Sequence, residues 1–379
     1  MRDHWEDSLL ELKEIGHHLS LIPMETPQEP EMVLGGHRVV NFCTNNYLGL
    51  AGDPRLIEAG AKAMRQYGAG GCASRIISAN LPVYEQLEDA VAEWKGAESA
   101  LLFNSGYQAN LGVIPVLASS SDIIFIDEGC HPSSLDGVRL SRANIQPFRH
   151  NHMNQLEDLL DRFRSEPGRR LIVTEAVFNT GGDLCPMKDI FTLAVRYGAT
   201  VYVDECHAVG VFGDEGEGLV PRPLPSFVVT MGTFGKALGS YGAFVCGSSL
   251  LKDYLINYAR TFLFSTSLPP ASAAAALEGI KIVRGEPERR RSLWNNIDYL
   301  QKRLMVIREP SPIFTMMTGS SEEILRQWTY LIDSNLYVQE IRPPIVPEGQ
   351  CRLRVSLTSR HTESHLNRLL DCLSNSVNL

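Results

Sequence analysis

No stretch of this sequence approaches the ~20 consecutive apolar residues that a membrane-spanning helix needs, so a membrane protein is not expected. The opening MRDHWEDSLLELKEIG is mixed in charge and lacks the continuous apolar core of a secretory leader; it reads as an amphipathic surface helix. Cys43, Cys72, Cys130, Cys185, Cys206, Cys246, Cys351 and Cys372 form no CxxC pair and no zinc-like spacing. They read as reduced thiols of a cytoplasmic protein, and no metal is expected. There is no excess of positive charge either. With 35 Lys+Arg against 44 Asp+Glu, the net charge of −9 gives no reason to expect nucleic acid or an anionic membrane as a partner. A local pocket for an anionic cofactor stays compatible with that total. Internal repeats and low-complexity linkers are also missing. What remains, 379 residues with 44% apolar and 21% charged, suits one large globular domain plus a smaller one.

From about residue 54 to 250, helical patterns alternate with short β-rich runs. Asp53-Pro54 offers a cap and a first-turn proline, followed by Leu56, Gly60, Ala63, Met64 and Tyr67 at helical spacing. DIIFID (122–127), RRLIVTEAV (169–177), TVYVDE (200–205) and SFVVTMG (226–232) read as buried strands, with helices expected around 153–164 and 187–197. Strands spaced by helices imply a mainly parallel sheet covered on both faces, whose ligands sit beyond the strands' carboxyl ends. After Pro269-Pro270, an alanine-rich helix leads into a charged helix near 287–308. The pieces IFTMMT, YVQEIR and CRLRVSL and a final helix near 362–374 then suggest a smaller α+β domain.

The region 200–240 carries the most chemistry. VYVDECHAVG runs a strand into Asp204, with His207 three residues later; GTFGKALG then sets Lys236 in a small-residue turn, with Thr233 just before it. Pyridoxal phosphate chemistry needs such a set: an amine for the aldehyde, a carboxylate for the pyridine nitrogen, and donors for the phosphate. Each residue also has a plainer explanation, since an aspartate ending a strand commonly caps a helix and a lone lysine is usually a surface charge. Spacing alone leaves the two readings balanced. In LLFNSGYQANLGV, Ser105-Gly106-Tyr107 lies where a strand gives way to a helix. Its amides could hold a phosphate, or the serine could simply cap the helix. Gly68-Ala69-Gly70-Gly71-Cys72-Ala73 fits the loose dinucleotide pattern GxGxxA, but a helix precedes it where the fingerprint needs a strand. It reads as a flexible loop, and a nicotinamide enzyme is disfavoured.

The blocks NNYLG, YGAGGCASR, FNSGYQAN, DEGCHPSSLDG, VDECHAVGVFG, GTFGKALG and FSTSLPP occur in the order seen in the α-oxoamine synthases, and the chain resembles that family over nearly its whole length. The resemblance implies an α/β fold-type I pyridoxal phosphate transferase, with a mainly parallel central sheet flanked by helices and a smaller C-terminal α+β domain. The expected division is an N-terminal segment 1–50, a large cofactor-binding domain 51–285 and a small domain 286–379. Lys236 matches the Schiff-base lysine and Asp204 the pyridine-nitrogen partner. His207 matches the histidine near the phenolic oxygen, and His131 the one stacked on the ring; these four are the expected catalytic residues. Ser105, Gly106, Tyr107 and Thr233 fall at phosphate-binding positions, and Asn179 near the cofactor's edge. Thr266 resembles a hydroxyl donated to the phosphate from a neighbouring subunit, which implies a homodimer with shared active sites. Asn45 and Arg354 match the pair that holds the amino-acid carboxylate. Of Arg352 and Arg354, which share a strand, only one is expected to point into the site. Arg342 is a substrate-binding candidate or a domain-interface cation.

TFGKALGSYGAFVCGS, ARTFLFSTSLPP and IRPPIVPEGQCRLR resemble the family branch that condenses L-alanine with pimeloyl-CoA or a pimeloyl carrier protein in biotin assembly. Several positions depart from the family pattern. NTGGD (Asn179 to Asp183) stands for SMDGD, Cys206 for alanine or serine, and Ala79, Leu81 and Tyr84 for glycine, threonine and histidine. These leave open a different amino acid or acyl group, such as glycine with acetyl-CoA. A non-catalytic subunit of the same fold would be signalled by loss of the lysine, which is present.

Overall fold

The computed structural model describes residues 2–376 except 306, 308, 344 and 348, so Pro344 of the RPPIVPEG motif lies outside the described residues. The chain forms two units, one of residues 46–291 and one that joins 1–45 to 292–379. The N-terminal stretch supplies α1 (Arg2–Glu14), β1 (Glu31–Leu34) and β2 (His37–Asn41) to the second unit. The larger unit then runs α2 (Pro54–Tyr67), α3 (Pro82–Lys95), β3 (Ser99–Phe103), α4 (Gly106–Leu117), β4 (Ile123–Asp127), α5 (Pro132–Ser141) and β5 (Asn144–Phe148). It continues through α6 (Met153–Arg162), β6 (Arg170–Glu175), α7 (Met187–Tyr197), β7 (Ala199–Asp204), β8 (Val228–Thr233), β9 (Ala243–Gly247), α8 (Ser249–Tyr258), α9 (Arg260–Leu263) and α10 (Pro270–Gly285).

Its seven strands lie in the order β3-β9-β8-β7-β6-β4-β5. All neighbours are parallel except β9, which runs against both β3 and β8. Every residue of β4 is buried, as expected of a strand covered on both faces. Helix α2 starts where the sequence predicts. Asp53 accepts a hydrogen bond from the Arg55 amide at 3.0 Å, and Leu56, Gly60 and Ala63 face inward.

The reversal between β8 and β9 carries Lys236. Its turn is closed by Phe234 N–H donating to Gly242 O and backed by the small-residue helix α10. A Cβ at Gly279 would lie 2.8 Å from Leu238 O, and one at Gly239, where φ is +64°, would lie 2.5 Å from Ala51 N. Glycine is what lets the backbone segments approach that closely.

The smaller unit adds α11 (Pro287–Leu304), which begins at the junction, then β10 (Ile313–Gly319), α12 (Ser321–Asp333), β11 (Leu336–Tyr337), β12 (Gln339–Ile341), β13 (Cys351–Ser356) and α13 (Glu363–Ser376). It holds two three-stranded sheets, β1-β2-β11 and β10-β13-β12. Two expectations change here. The charged helix ends at Leu304 rather than near 308, and YVQEIR is not one strand. Tyr337 pairs in parallel with Asn41, whereas Gln339 to Ile341 pair with β13, so the chain changes sheets at Val338.

Immediately after Asp204, Glu205 is fully buried and ion-paired with the equally buried Lys95. Glu205 also accepts from Thr230 Oγ1 at 2.6 Å and from the amides of Leu219 and Val220, while Lys95 donates to Glu217 O. Lys95→Met should therefore lower the unfolding free energy by ~3–5 kcal/mol, because it strands a buried carboxylate. A denaturant midpoint equal to wild type would contradict this.

Candidate active site

Beyond the carboxyl ends of β6, β7 and β8, the larger unit encloses a cavity of about 180 Å³. It is lined by Gly106, Tyr107, His131, Asn179, Asp204, His207, Thr233 and Lys236, all expected from the sequence, and also by Asn110, Ser133, Glu175 and Cys206. Chain segments separated by more than a hundred residues therefore meet at one place.

Asp204 ends β7 and is held from two sides. Its Oδ1 accepts from the Cys206 amide at 2.9 Å and its Oδ2 from Asn110 Nδ2 at 3.2 Å. Asn110 is itself oriented by Tyr202, whose hydroxyl donates to Asn110 Oδ1 at 2.7 Å. The Asn110 amide also reaches Ser133 Oγ at 2.8 Å. Ser133 lies 2.7 Å from His131 Nδ1 through its hydroxyl, and its amide donates to the same nitrogen at 3.2 Å. Burial lowers the His131 pKa, so the ring is neutral near pH 7. With Nδ1 accepting, its proton sits on Nε2.

Lys236 Nζ lies 2.9 Å from His207 Nε2, and His207 Nδ1 lies 2.7 Å from the hydroxyl of the fully buried Tyr47. The Lys236 amine is thus linked through an imidazole to a phenol. Thr233 donates to Gly242 O at 2.9 Å and accepts from the Gly235 amide at 3.1 Å, fixing the start of the lysine turn. Helix α4 begins with Gly106 and Tyr107, which line the same cavity. Ser105 is its cap, accepting from the Gln108 amide at 3.2 Å. The first amides of a helix have no acceptor within it, and the helix dipole favours an anion there. The capping and phosphate readings of Ser105-Gly106-Tyr107 are therefore compatible: the serine side chain caps, and the next two residues line the cavity.

Glu175 is the residue the sequence reading passed over. The β6–β7 register sets it directly opposite Asp204, and it is buried. Its two oxygens accept from the backbone amides of His131 and, at 3.3 Å, Asn179. Burial, and then the charge of Asp204, push its pKa well above the ordinary carboxyl range. Only its strand-end position, one strand over from Asp204, could have pointed to it. Tyr47 stood in the NNYLG block with no visible partner in sequence.

The remaining candidates lie elsewhere. Thr266 lines a separate, much smaller cavity with Arg75, Tyr84 and Asn104, and its carbonyl accepts from Asn104 Nδ2 at 2.7 Å. In the smaller unit, Arg354 donates to Asn45 Oδ1 at 3.2 Å and to Gln339 Oε1 at 3.1 Å. Arg342 donates to the Gly16 carbonyl. The expectation that only one of Arg352 and Arg354 points into the site does not follow from the strand, because residues two apart share a face. They differ instead in surroundings: Arg354 is buried, while Arg352 is half-buried and donates to Gln350 O.

The donor set fits pyridoxal phosphate. Lys236 would hold the aldehyde carbon, Asp204 the ring nitrogen, His131 a ring face, and the start of α4 with Thr233 the phosphate. A second carboxylate beside Asp204 would be an awkward neighbour for that set, and the raised pKa of Glu175 removes the conflict by keeping it uncharged. Folding is then linked to protonation. As pH rises above the ordinary carboxyl pKa of ~4.3, the unfolded chain gives up a proton that folded Glu175 keeps, so this group's contribution to stability falls. The cofactor-free Glu175→Gln protein should lack that component, giving a flatter stability–pH curve than wild type in denaturant titrations. Superimposable curves would contradict it.

The chain matches the family described as aminotransferase class I and II over residues 37–373. It is 42% identical over 366 residues to the 8-amino-7-oxononanoate synthase of Anaeromyxobacter dehalogenans, covering 95% of this chain and 92% of that one. A serine palmitoyltransferase from S. paucimobilis, solved with a bound PLP–myriocin aldimine, superposes with a TM-score of 0.92 at 30% identity, over 99% of this chain and 97% of that one. An 8-amino-7-oxononanoate synthase from Francisella tularensis gives a TM-score of 0.79 at 28% identity, over 90% and 98%. With the family match spanning most of its length and the cavity carrying the matching donor set, the chain belongs to the aminotransferase class I and II family, among the pyridoxal phosphate-dependent α-oxoamine synthases.

Proposed function

We propose that this enzyme condenses L-alanine with a pimeloyl thioester, either pimeloyl-CoA or a pimeloyl carrier protein, to give 8-amino-7-oxononanoate, CO2 and the free thiol in biotin assembly. The observation that carries the reading is the Lys236–His207 contact at 2.9 Å in a cavity shared with Asp204. The 42% identity to a synthase of that name supports the choice of substrates.

Pyridoxal phosphate, when bound, supplies a carbonyl that exchanges amines and a pyridine ring that withdraws electrons from the substrate's α-carbon. The chain's own residues do the rest. Asp204, fixed by Asn110 and the Cys206 amide, would hold the ring nitrogen. Lys236 Nζ takes the α-proton of alanine, and His207, held by Tyr47, steadies the amine through Nε2. His131, neutral with its proton on Nε2, would cover the ring and donate to the acyl carbonyl oxygen as charge develops there. The α-carbon then bonds to the acyl carbon, the C–S bond breaks and the thiol leaves with a proton. Loss of the carboxylate as CO2 leaves its bonding electrons on carbon, which takes up a second proton, supplied by water. Asn45 and Arg354 are the pair assigned to the alanine carboxylate, for which a planar guanidinium is well suited. Thr266, outside its own subunit's Lys236 cavity, suits a hydroxyl given to the second subunit of a homodimer. A reducing, cytoplasmic setting suits the eight cysteines, all free.

The purified enzyme should show a visible cofactor band that responds to L-alanine more strongly than to glycine, and thiol release that requires the pimeloyl thioester. Equal or better turnover with glycine and acetyl-CoA would overturn the substrate assignment while sparing the cofactor. Lys236→Ala should lower kcat by at least ~10³-fold, near the upper end of what a positioned base supplies. Turnover close to wild type would overturn the mechanism.

A further inference from the structure

Beyond the cavity, one cluster of charged side chains has no part in the mechanism above. His150, just past β5, lies with Nδ1 2.9 Å from Asp127 Oδ1 at the end of β4, and its Nε2 meets Asp183 Oδ2. Asp127 is fully buried and is also bonded by the amides of Gly129 at 2.7 Å and Asn151 at 2.8 Å, so it is a rigid anchor. Asp183 is different, because it belongs to a tight turn. Val177 bridges Leu184, Phe178 N–H donates to Asp183 O at 3.0 Å, and Gly182 N–H donates to Phe178 O at 2.8 Å. Phe178 packs edge-on against the His150 ring, with centroids 4.3 Å apart. Asn151 Nδ2 adds a bond to Leu184 O at 3.0 Å. The residue at the head of this turn is Asn179, which lines the cofactor cavity and whose amide binds Glu175.

We propose that His150, clamped between Asp127 and Asp183, is a latch that fixes the 177–184 turn to the end of β4 and so holds Asn179 at the cofactor's edge. His150 and Asp183 are positioning residues, acting on the cofactor through Asn179. The proposal rests on reading this cavity as the pyridoxal phosphate site. Partial burial pulls the His150 pKa down, but the bonds to Asp127 and Asp183 outweigh it and raise it to about 10. The bridging ring is therefore a cation near neutral pH, flanked by the carboxylates of β4 and of the turn.

This latch explains one departure from the family pattern. A Cβ at position 181 would sit 1.9 Å from Asp183 Oδ1, so a side chain there would push the carboxylate out of its present pose. Gly181, where the family pattern has aspartate, leaves room for the Asp183 carboxylate in its contact with His150. Gly181→Ala is thus a second way to open the latch, without deleting either charged partner.

The test compares wild type, Asp183→Asn and Gly181→Ala by two readouts. Amide hydrogen exchange of the cofactor-free proteins reports the turn itself, and titration with pyridoxal 5'-phosphate, followed by its visible absorption, reports affinity. Both variants should exchange faster across 177–184 while the β4, β6 and β7 amides keep wild-type protection. Both should bind the cofactor about tenfold more weakly, the scale of one lost charge-assisted hydrogen bond. At saturating cofactor their kcat should stay within about twofold of wild type, because the groups that move protons are untouched. Unchanged exchange in the turn overturns the latch. Faster exchange with unchanged affinity overturns its connection to the cofactor. A wild-type protein that fails to bind pyridoxal 5'-phosphate overturns the reading of the cavity itself, a result distinct from either.

Discussion

Two carboxyl groups, Asp204 on β7 and Glu175 on β6, face each other across one register of the central sheet, and burial together with the neighbouring Asp204 raises the pKa of Glu175. Asp204 has Asn110 Nδ2 and the Cys206 amide directed at it. Glu175 receives two backbone amides but lies deeper, and its proton stays on. The asymmetry suits Asp204 to the role proposed for it, partner of the cofactor's ring nitrogen. It also gives Glu175 a structural task, since the two amides it binds belong to His131 and Asn179, which line the same cavity. Burial, usually a cost for an acid, here separates the roles of two chemically similar residues.

The sheet makes that arrangement possible. Parallel β6, β7 and β8 end on the same side, so Glu175, Asp204 and Thr233 arrive there together. Strand β9 then reverses direction, and the turn that begins the reversal presents Lys236 back across those ends. Helix α4 contributes at two points along its length, its first amides at Gly106 and Tyr107 and, one turn on, the Asn110 side chain that steers Asp204. One helix thus brings to the cavity both its N-terminus and the side chain that steers Asp204. The ion pair of Lys95 and Glu205 anchors the residue next to Asp204 in the core.

Much of this was legible in the sequence, for reasons that can be named. Buried parallel strands are short apolar runs, so DIIFID and TVYVDE declared themselves, and Asp53-Pro54 marked the start of α2 through its own cap. Lys236, Asp204, His207 and His131 stand in blocks whose order matches a family. The parts that escaped depend on long-range partners. Tyr47 meets His207 across 160 positions, and nothing local announces the pair. Glu175 looks like any polar residue ending a strand until the register places it beside Asp204. His150 has no local signal, because Asp127 and Asp183 close on it from two other segments. Sheet membership in the smaller unit was hidden for a related reason. Tyr337 and Gln339 are two residues apart yet join different sheets, and only pairing decides that.

The central claim is that Lys236 carries the cofactor. Borohydride reduction of the pyridoxal phosphate-loaded enzyme, followed by proteolysis and mass spectrometry, tests it most directly. A single phosphopyridoxyl group is expected, on the peptide containing Lys236. A modification confined to another lysine, or none at all on a protein that shows the cofactor's visible band, would contradict it.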